Sequence, residues 1–155
     1  VLIIGILAAI ALPQYQKAVL KSKASAVFPL LKAVTDAQER HMLATGSYAD
    51  EFGQLDIQLS NDCSGNLCTL GNNVWRISNG FVLVYFDTDT VGVNFFTIAR
   101  VFNAAAAPSD PVKNGQILCY GREDAIGSDR FKKVCESFSP SSSFSISSGK
   151  IWILN

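Results

Sequence analysis

The chain is short of charge. Thirteen basic and thirteen acidic residues cancel, and charged residues make up only 17% of the sequence. That balance excludes a binder driven by a general basic field, so nucleic acid is not expected as a partner. Histidine occurs once, as His41, with no second histidine, nearby cysteine or paired carboxylate to form a metal or acid–base site. The sequence has no phosphate loop, dinucleotide fingerprint, nucleophile motif or Asn-x-Ser/Thr sequon. These absences point away from an enzyme and imply neither cofactor nor metal.

Long apolar runs are also scarce, except for one. Val1, Leu2, Ile3, Ile4, Gly5, Ile6, Leu7, Ala8, Ala9, Ile10, Ala11 and Leu12 carry no charged and no hydrogen-bonding side chain. As an α-helix they reach about 18 Å, short of the roughly 20 residues that cross a bilayer. The run is therefore a half-depth anchor or the tail of a longer one. Its surface needs lipid, or other copies of itself. The expected division is an apolar helix half over 1–19 and a head over 20–155, which begins with an amphipathic helix half over 20–45.

Past Pro13 the pattern becomes amphipathic. Leu20, Ala24, Val27, Leu31 and Val34 step by four and three, which marks one helix face. That face is expected to pack on a sheet, with Phe28 and Leu30 flanking it and turned toward neighbouring molecules. Lys17, Lys21 and Lys23 read as a solvated face. Two prolines interrupt the helix. Pro13 removes the N–H that would bond Ala9, and Pro29 removes the one for Ser25, so a bend is expected near Ser25. The helix should stop at Gly46. Tyr48, Phe52 and Leu55 then plug the end of the helix–sheet core.

The middle of the chain reads as strands. NVWRIS, GFVLVYFD and VGVNFFTIARVF are β-branched and aromatic, and Asn79-Gly80 is a strong hairpin signal. QILCY adds a fourth strand and KIWILN a final one. Trp75, Phe81, Leu83, Tyr85 and Phe96 are the core candidates, with Trp75 and Leu83 assigned to the helix-facing layer. Asp87 and Asp89 read as a solvated turn, since a calcium loop needs more oxygen ligands in a fixed rhythm. Ala104 to Pro111 reads as a connector. The serine-rich stretch from Ser137 to Ser148 is a surface segment, a glycan carrier or a twisted edge strand. The fold class expected is α+β: a long helix on an antiparallel meander of about four strands.

Four cysteines, an even number, suit an oxidising compartment. Four allow three pairings. Locality favours Cys63 with Cys68 and Cys119 with Cys135. The spacings are not those of a zinc site.

IIGILAAIALPQYQKAV resembles the end of the N-terminal signature of bacterial type IV pilins and their pseudopilin relatives. The glycine, the alanines, the proline and the Gln-Tyr after it stand in the family's order. The family's N-terminal phenylalanine and nearby glutamate are not in this sequence. The resemblance implies a pilin fold, with a carboxy-terminal loop closed by one disulfide, which agrees with pairing Cys119 and Cys135. It implies a structural subunit that polymerises with itself through the apolar helix into a pilus filament, the major pilin of that filament. It also implies loss of helix between Gly5 and Pro13, with a continuous helix that kinks shallowly as the rival.

Before assembly the subunit would sit in the inner membrane with its head in the periplasm, and afterwards in an extracellular filament. A prepilin peptidase, an assembly ATPase, a platform protein and a secretin are the implied partners. Gly5, Ala8, Ala9 and Ala11 would let neighbouring rods approach closely. Motility, adhesion, DNA uptake and secretion all remain open. Two alternatives stand beside the major pilin. One is a pseudopilin of type II secretion. The other is a minor tip subunit that binds a surface ligand or DNA, with Arg122, Arg130, Lys132 and Lys133 as the basic candidates and Glu123, Asp124 and Asp129 diluting them.

Overall fold

The computed structural model describes residues 2–60, 62–86, 96–106, 112–122, 128–139, 143–146 and 149–154, with the backbone alone for Leu2, Ile3 and Ile4. Val1, Asp87, Asp89, Glu123 and Asp124 lie outside the described residues, as do the side chains of Arg122, Asp129 and Arg130. The architecture is α+β: a long bent N-terminal helix, an eight-stranded antiparallel sheet and two disulfides.

The helix comes in two pieces, α1 (Leu2–Ala26) and α2 (Phe28–Thr45). Val27 between them stays close to helical, with φ −86° and ψ −14°. Its N–H bonds the Ala24 carbonyl at 3.3 Å, and its own carbonyl takes the Leu31 N–H at 2.9 Å. The interruption is thus a single residue, two positions before Pro29. Proline sits comfortably in a first turn, where its missing N–H has no partner to lose. Pro13 behaves differently from expectation: α1 runs through it without a break, so the loss of helix expected between Gly5 and Pro13 does not occur. Ala9 lies on an exposed stretch, where water can take the place of the missing donor at its carbonyl.

The stripe buries as the spacing requires. Ala24, Val27, Leu31 and Val34 are buried, and Leu20 packs half-buried at the edge of the same cluster. Phe28 and Leu30 also pack against this cluster rather than facing outward. The helix ends at Gly46, whose φ of +83° is left-handed and whose N–H bonds the Met42 carbonyl at 2.9 Å. Only glycine takes that conformation at no steric cost.

A fully buried glutamine ties the next loop down. Gln38 donates from Nε2 to the Ala49 carbonyl at 3.0 Å, and its Oε1 accepts the Ala49 N–H at 2.8 Å. One side chain thus satisfies both backbone groups of a buried residue. Gln38→Ala strands both, and should lower unfolding free energy by about 2 kcal/mol, read as a fall in the urea midpoint. A short 3-10 turn (Phe52–Gln54) follows, and Phe52 and Leu55 plug the core as expected.

The strands are β1 (Cys63–Ser64), β2 (Leu67–Leu70), β3 (Asn73–Ser78), β4 (Phe81–Tyr85), β5 (Phe96–Val101), β6 (Ile117–Arg122), β7 (Ser143–Ile146) and β8 (Gly149–Leu154). Their order across the sheet is β1-β2-β3-β4-β5-β6-β8-β7. The expected meander of about four strands therefore undercounts the sheet. It missed the short hairpin between Cys63 and Cys68, whereas the final strand read in KIWILN is β8, and β7 makes the serine-rich stretch before it an edge strand, one of the three readings given for it. The Asn79-Gly80 turn forms as read, with both residues at positive φ (48° and 82°).

Pairing register decides which side chains face the helix. Trp75 lies opposite Val84, and Ile77 opposite Val82. Trp75, Ile77, Val82, Val84, Phe96 and Ile98 share the main core with the helix stripe. Leu83 does not. Alternation turns it to the other face, together with Phe81, where it packs against a second cluster built on Ala99, Val101, Leu118 and Ile151. Its assignment to the helix–sheet core is thus corrected. Ala104 and Val112, from the connector between β5 and β6, join this second cluster. Both faces of the sheet are apolar there, so size alone did not distinguish inside from outside.

The segment between Cys119 and Cys135, expected to be a loop closed by their disulfide, runs into α3 (Ser128–Phe138), which itself carries Cys135. Val134 and Cys135 are fully buried in the main core, and the Cys119–Cys135 disulfide bolts α3 to β6. Lys21 reaches across from α1: its Nζ donates to the Ser137 carbonyl at 2.9 Å and lies 4.9 Å from the centre of the Phe138 ring. Phe28 meets the same ring at 5.7 Å. Lys21 is therefore no solvated lysine but a strut between the first and third helices, its cation on an aromatic face. Lys23 is exposed.

Candidate assembly surface

The head's core accounts for the helix only from Leu20 onward. From Gly5 to Gln16 every residue is exposed. Ile6 is 54% exposed, Leu7 62%, Ile10 58%, Leu12 59% and Tyr15 69%. These side chains point in all directions around α1, so no strip of the helix is left polar. Leu2 to Gln16 project as a rod about 22 Å long. Lys17 is the first charged residue after it. Among the described residues no helix is long and apolar enough to cross a membrane.

The chemistry of this surface is plain. Fully burying one Leu or Ile side chain stabilises by about 1.5–3 kcal/mol. Four such side chains, each more than half exposed, are a large unsatisfied drive to be covered. Gly5 belongs to the same surface. A Cβ built there meets nothing within 4 Å, so nothing inside this molecule requires a glycine at that position. Ala8, Ala9 and Ala11 are exposed as well. Small residues on an open helix leave room for the backbone of another helix to approach.

Of the residues assigned to filament packing, Gly5, Ile6, Leu7, Ala8, Ala9, Ile10 and Leu12 thus lie together on the projecting rod. Leu2, Ile3 and Ile4 continue its helical backbone. The disulfide residues pair as locality suggested, Cys63 with Cys68 and Cys119 with Cys135. They brace the head and stand apart from the rod. Lys132 is half-buried on α3 and Lys133 exposed.

The opposite end of the helix carries two features that spacing did not signal. Leu43, near the end of α2, is 86% exposed. Close by, Arg40 forms a forked pair with Asp56, Nε to Oδ2 at 2.6 Å and Nη2 to Oδ1 at 2.7 Å, on the open surface. The hydrogen bond from Arg40 holds the Asp56 carboxyl below its ordinary range, and the arginine is raised in turn. A carboxyl depressed in the folded state contributes stability above its unfolded pKa and loses it as pH falls through the folded value. Asp56→Asn should therefore lower Tm slightly at neutral pH, and the difference from wild type should vanish in acid. Thermal melts between pH 7 and pH 2 check this.

Comparison of the chain with protein-family models, with curated proteins and with solved structures found no match.

Proposed function

We propose that this protein is a structural subunit that polymerises through its N-terminal helix into a filament of the type IV pilus kind, as its major pilin. The observation that carries the reading is the fully exposed apolar rod from Gly5 to Leu12, set on a head braced by two disulfides. A surface of that kind is costly in water and is relieved by sister rods. Packing between copies that are related head to tail does not close on itself, so it generates an open helix. The resemblance of IIGILAAIALPQYQKAV to the pilin signature supports the same conclusion.

Before assembly the rod rests in the apolar part of a membrane, with the head outside in an oxidising space. Transfer from lipid to the bundle gains nothing from hydrophobicity alone, because lipid is already apolar. Close packing around Gly5, Ala8, Ala9 and Ala11 supplies the gain. A peptidase, an assembly ATPase, a platform protein and a secretin are the partners such a life requires.

Negative-stain electron microscopy of the purified intact protein tests the proposal. Uniform filaments built from this chain alone are the expected result. Isolated particles at all concentrations, with the rod protected from proteases inside its own head, would overturn it.

A further inference from the structure

The two pieces of the N-terminal helix meet at Val27, and one aromatic ring lies against both of them. On the α1 side, the Nζ of Lys21 stands 4.9 Å from the centre of the Phe138 ring. On the α2 side, the Phe28 ring stands 5.7 Å from it, tilted by 54°. Phe138 is the last residue of α3. That helix is fixed in turn to the sheet, through the Cys119–Cys135 disulfide and the fully buried Val134. The junction is thus spanned from outside by an element that belongs to the head.

Lys21 suits this place by charge as well as by reach. The last four carbonyls of a helix have no partner within it, and they carry the negative end of the helix dipole. Helix α3 has no basic residue in its own last turn. Lys21 supplies one from another helix, its Nζ donating to the Ser137 carbonyl at 2.9 Å. The Ser139 N–H donates to the Cys135 carbonyl at 3.4 Å and satisfies a second of the terminal group. A cation on a long apolar stem meets the carbonyl, the dipole and the ring face together.

Leverage determines what this clamp controls. Leu20 and Ala24 seat α1 on the main core along one line. Lys21 is turned from Leu20 by about 100° around the helix axis, so it holds α1 against sideways swing. It lies about 9 Å from Val27 along the axis, whereas Leu2 lies about 37 Å from it. Slack of about 1 Å at Lys21 therefore becomes about 4 Å at the tip of the rod. Packed helices stand about 8–10 Å apart, so an error of that size is close to half the spacing between neighbouring rods. We infer that Lys21, held by Phe138 and the Ser137 carbonyl, is the positioning residue that sets the angle of the rod to the head. On the filament reading proposed above, on which this consequence rests, it also sets the helical geometry of the polymer.

Double electron–electron resonance on the full disulfide-bonded chain in detergent micelles tests the inference. Spin labels are attached at Gln14→Cys near the base of the rod and at Arg76→Cys on the sheet, both exposed positions. The labelled chain with Lys21 intact should give one narrow distance distribution. Lys21→Met keeps the apolar stem and removes the ammonium. It should shift or broaden the distribution by about 3 Å, the displacement that a tilt of about 10° produces at Gln14. Phe138→Leu should do the same. Lys21→Arg still donates and still stacks, and it should restore the narrow distribution. In filaments, cryo-electron microscopy of Lys21→Met should show an altered or irregular helical twist where wild type is uniform.

An unchanged distance distribution in Lys21→Met, or one that Lys21→Arg leaves equally broad, would overturn the inference. Filaments of Lys21→Met with the wild-type twist would overturn its consequence for the polymer. The resonance measurement is made on unassembled subunits, so it reads the clamp whether or not wild type polymerises. Failure of wild type to polymerise would count against the filament reading alone.

Discussion

Ile6→Glu is expected to abolish filaments while leaving the head folded. Ile6 is more than half exposed and belongs to neither core cluster, so the substitution touches nothing that stabilises the isolated chain. In a bundle of rods the same position is enclosed. A carboxylate there either ionises without a partner, at a cost of several kcal/mol, or takes up a proton and still lacks hydrogen-bond partners. Every subunit carries the change, so the penalty repeats at every contact along the polymer. Two readings on one sample decide the matter. Circular dichroism and Tm should match wild type, and electron microscopy should show no filaments. Filaments of normal length would contradict the packing role given to the rod.

The second large effect concerns the Cys119–Cys135 bridge. Replacing both cysteines with alanine should cost about 3–5 kcal/mol of unfolding free energy. The bridge closes a loop of 16 residues, which by chain entropy alone is worth about 3 kcal/mol. Both residues are also fully buried, so two small voids add to the loss. The Cys63–Cys68 bridge spans only five residues, and its removal should cost about 1 kcal/mol less on the same entropic argument. Urea titrations of the two double variants give the comparison. Equal losses would mean that loop closure does not govern the effect.

Local chemistry made several features legible in advance. A glycine after a periodic helix marked its end at Gly46, and Asn79-Gly80 marked a hairpin that is present. The four-and-three spacing from Ala24 to Val34 identified the buried helix face, because burial and periodicity have the same cause there. The cysteine pairing followed from proximity in the chain. The rod was the plainest signal of all, since nothing else in the sequence runs so long without a polar atom.

What escaped notice was mostly non-local. Helix α3 does carry a helical pattern, in Phe131, Val134, Cys135 and Phe138, but the surrounding glycine, serine and charged residues read as turns. Leu83 looked like core by its size. Pairing with Arg76 and Ala99 puts it on the outer face, and pairing is not visible in one strand alone. Lys21 looked like solvent-facing charge, and its partner Ser137 lies 116 positions away.

The placing of β8 between β6 and β7 has a consequence for biogenesis. The ribosome delivers β7 before β8, yet among the described strands β7 pairs with β8 alone. The earlier strand thus has nothing to dock on until the later one is made, and β6 meanwhile offers an unpaired border to whatever is near. Trp152, which fills the layer beside Cys119, arrives last of the core residues together with Leu154. The head is accordingly committed to fold late, once nearly the whole chain has been made, and a chain interrupted short of β8 would present β6 as a sticky edge.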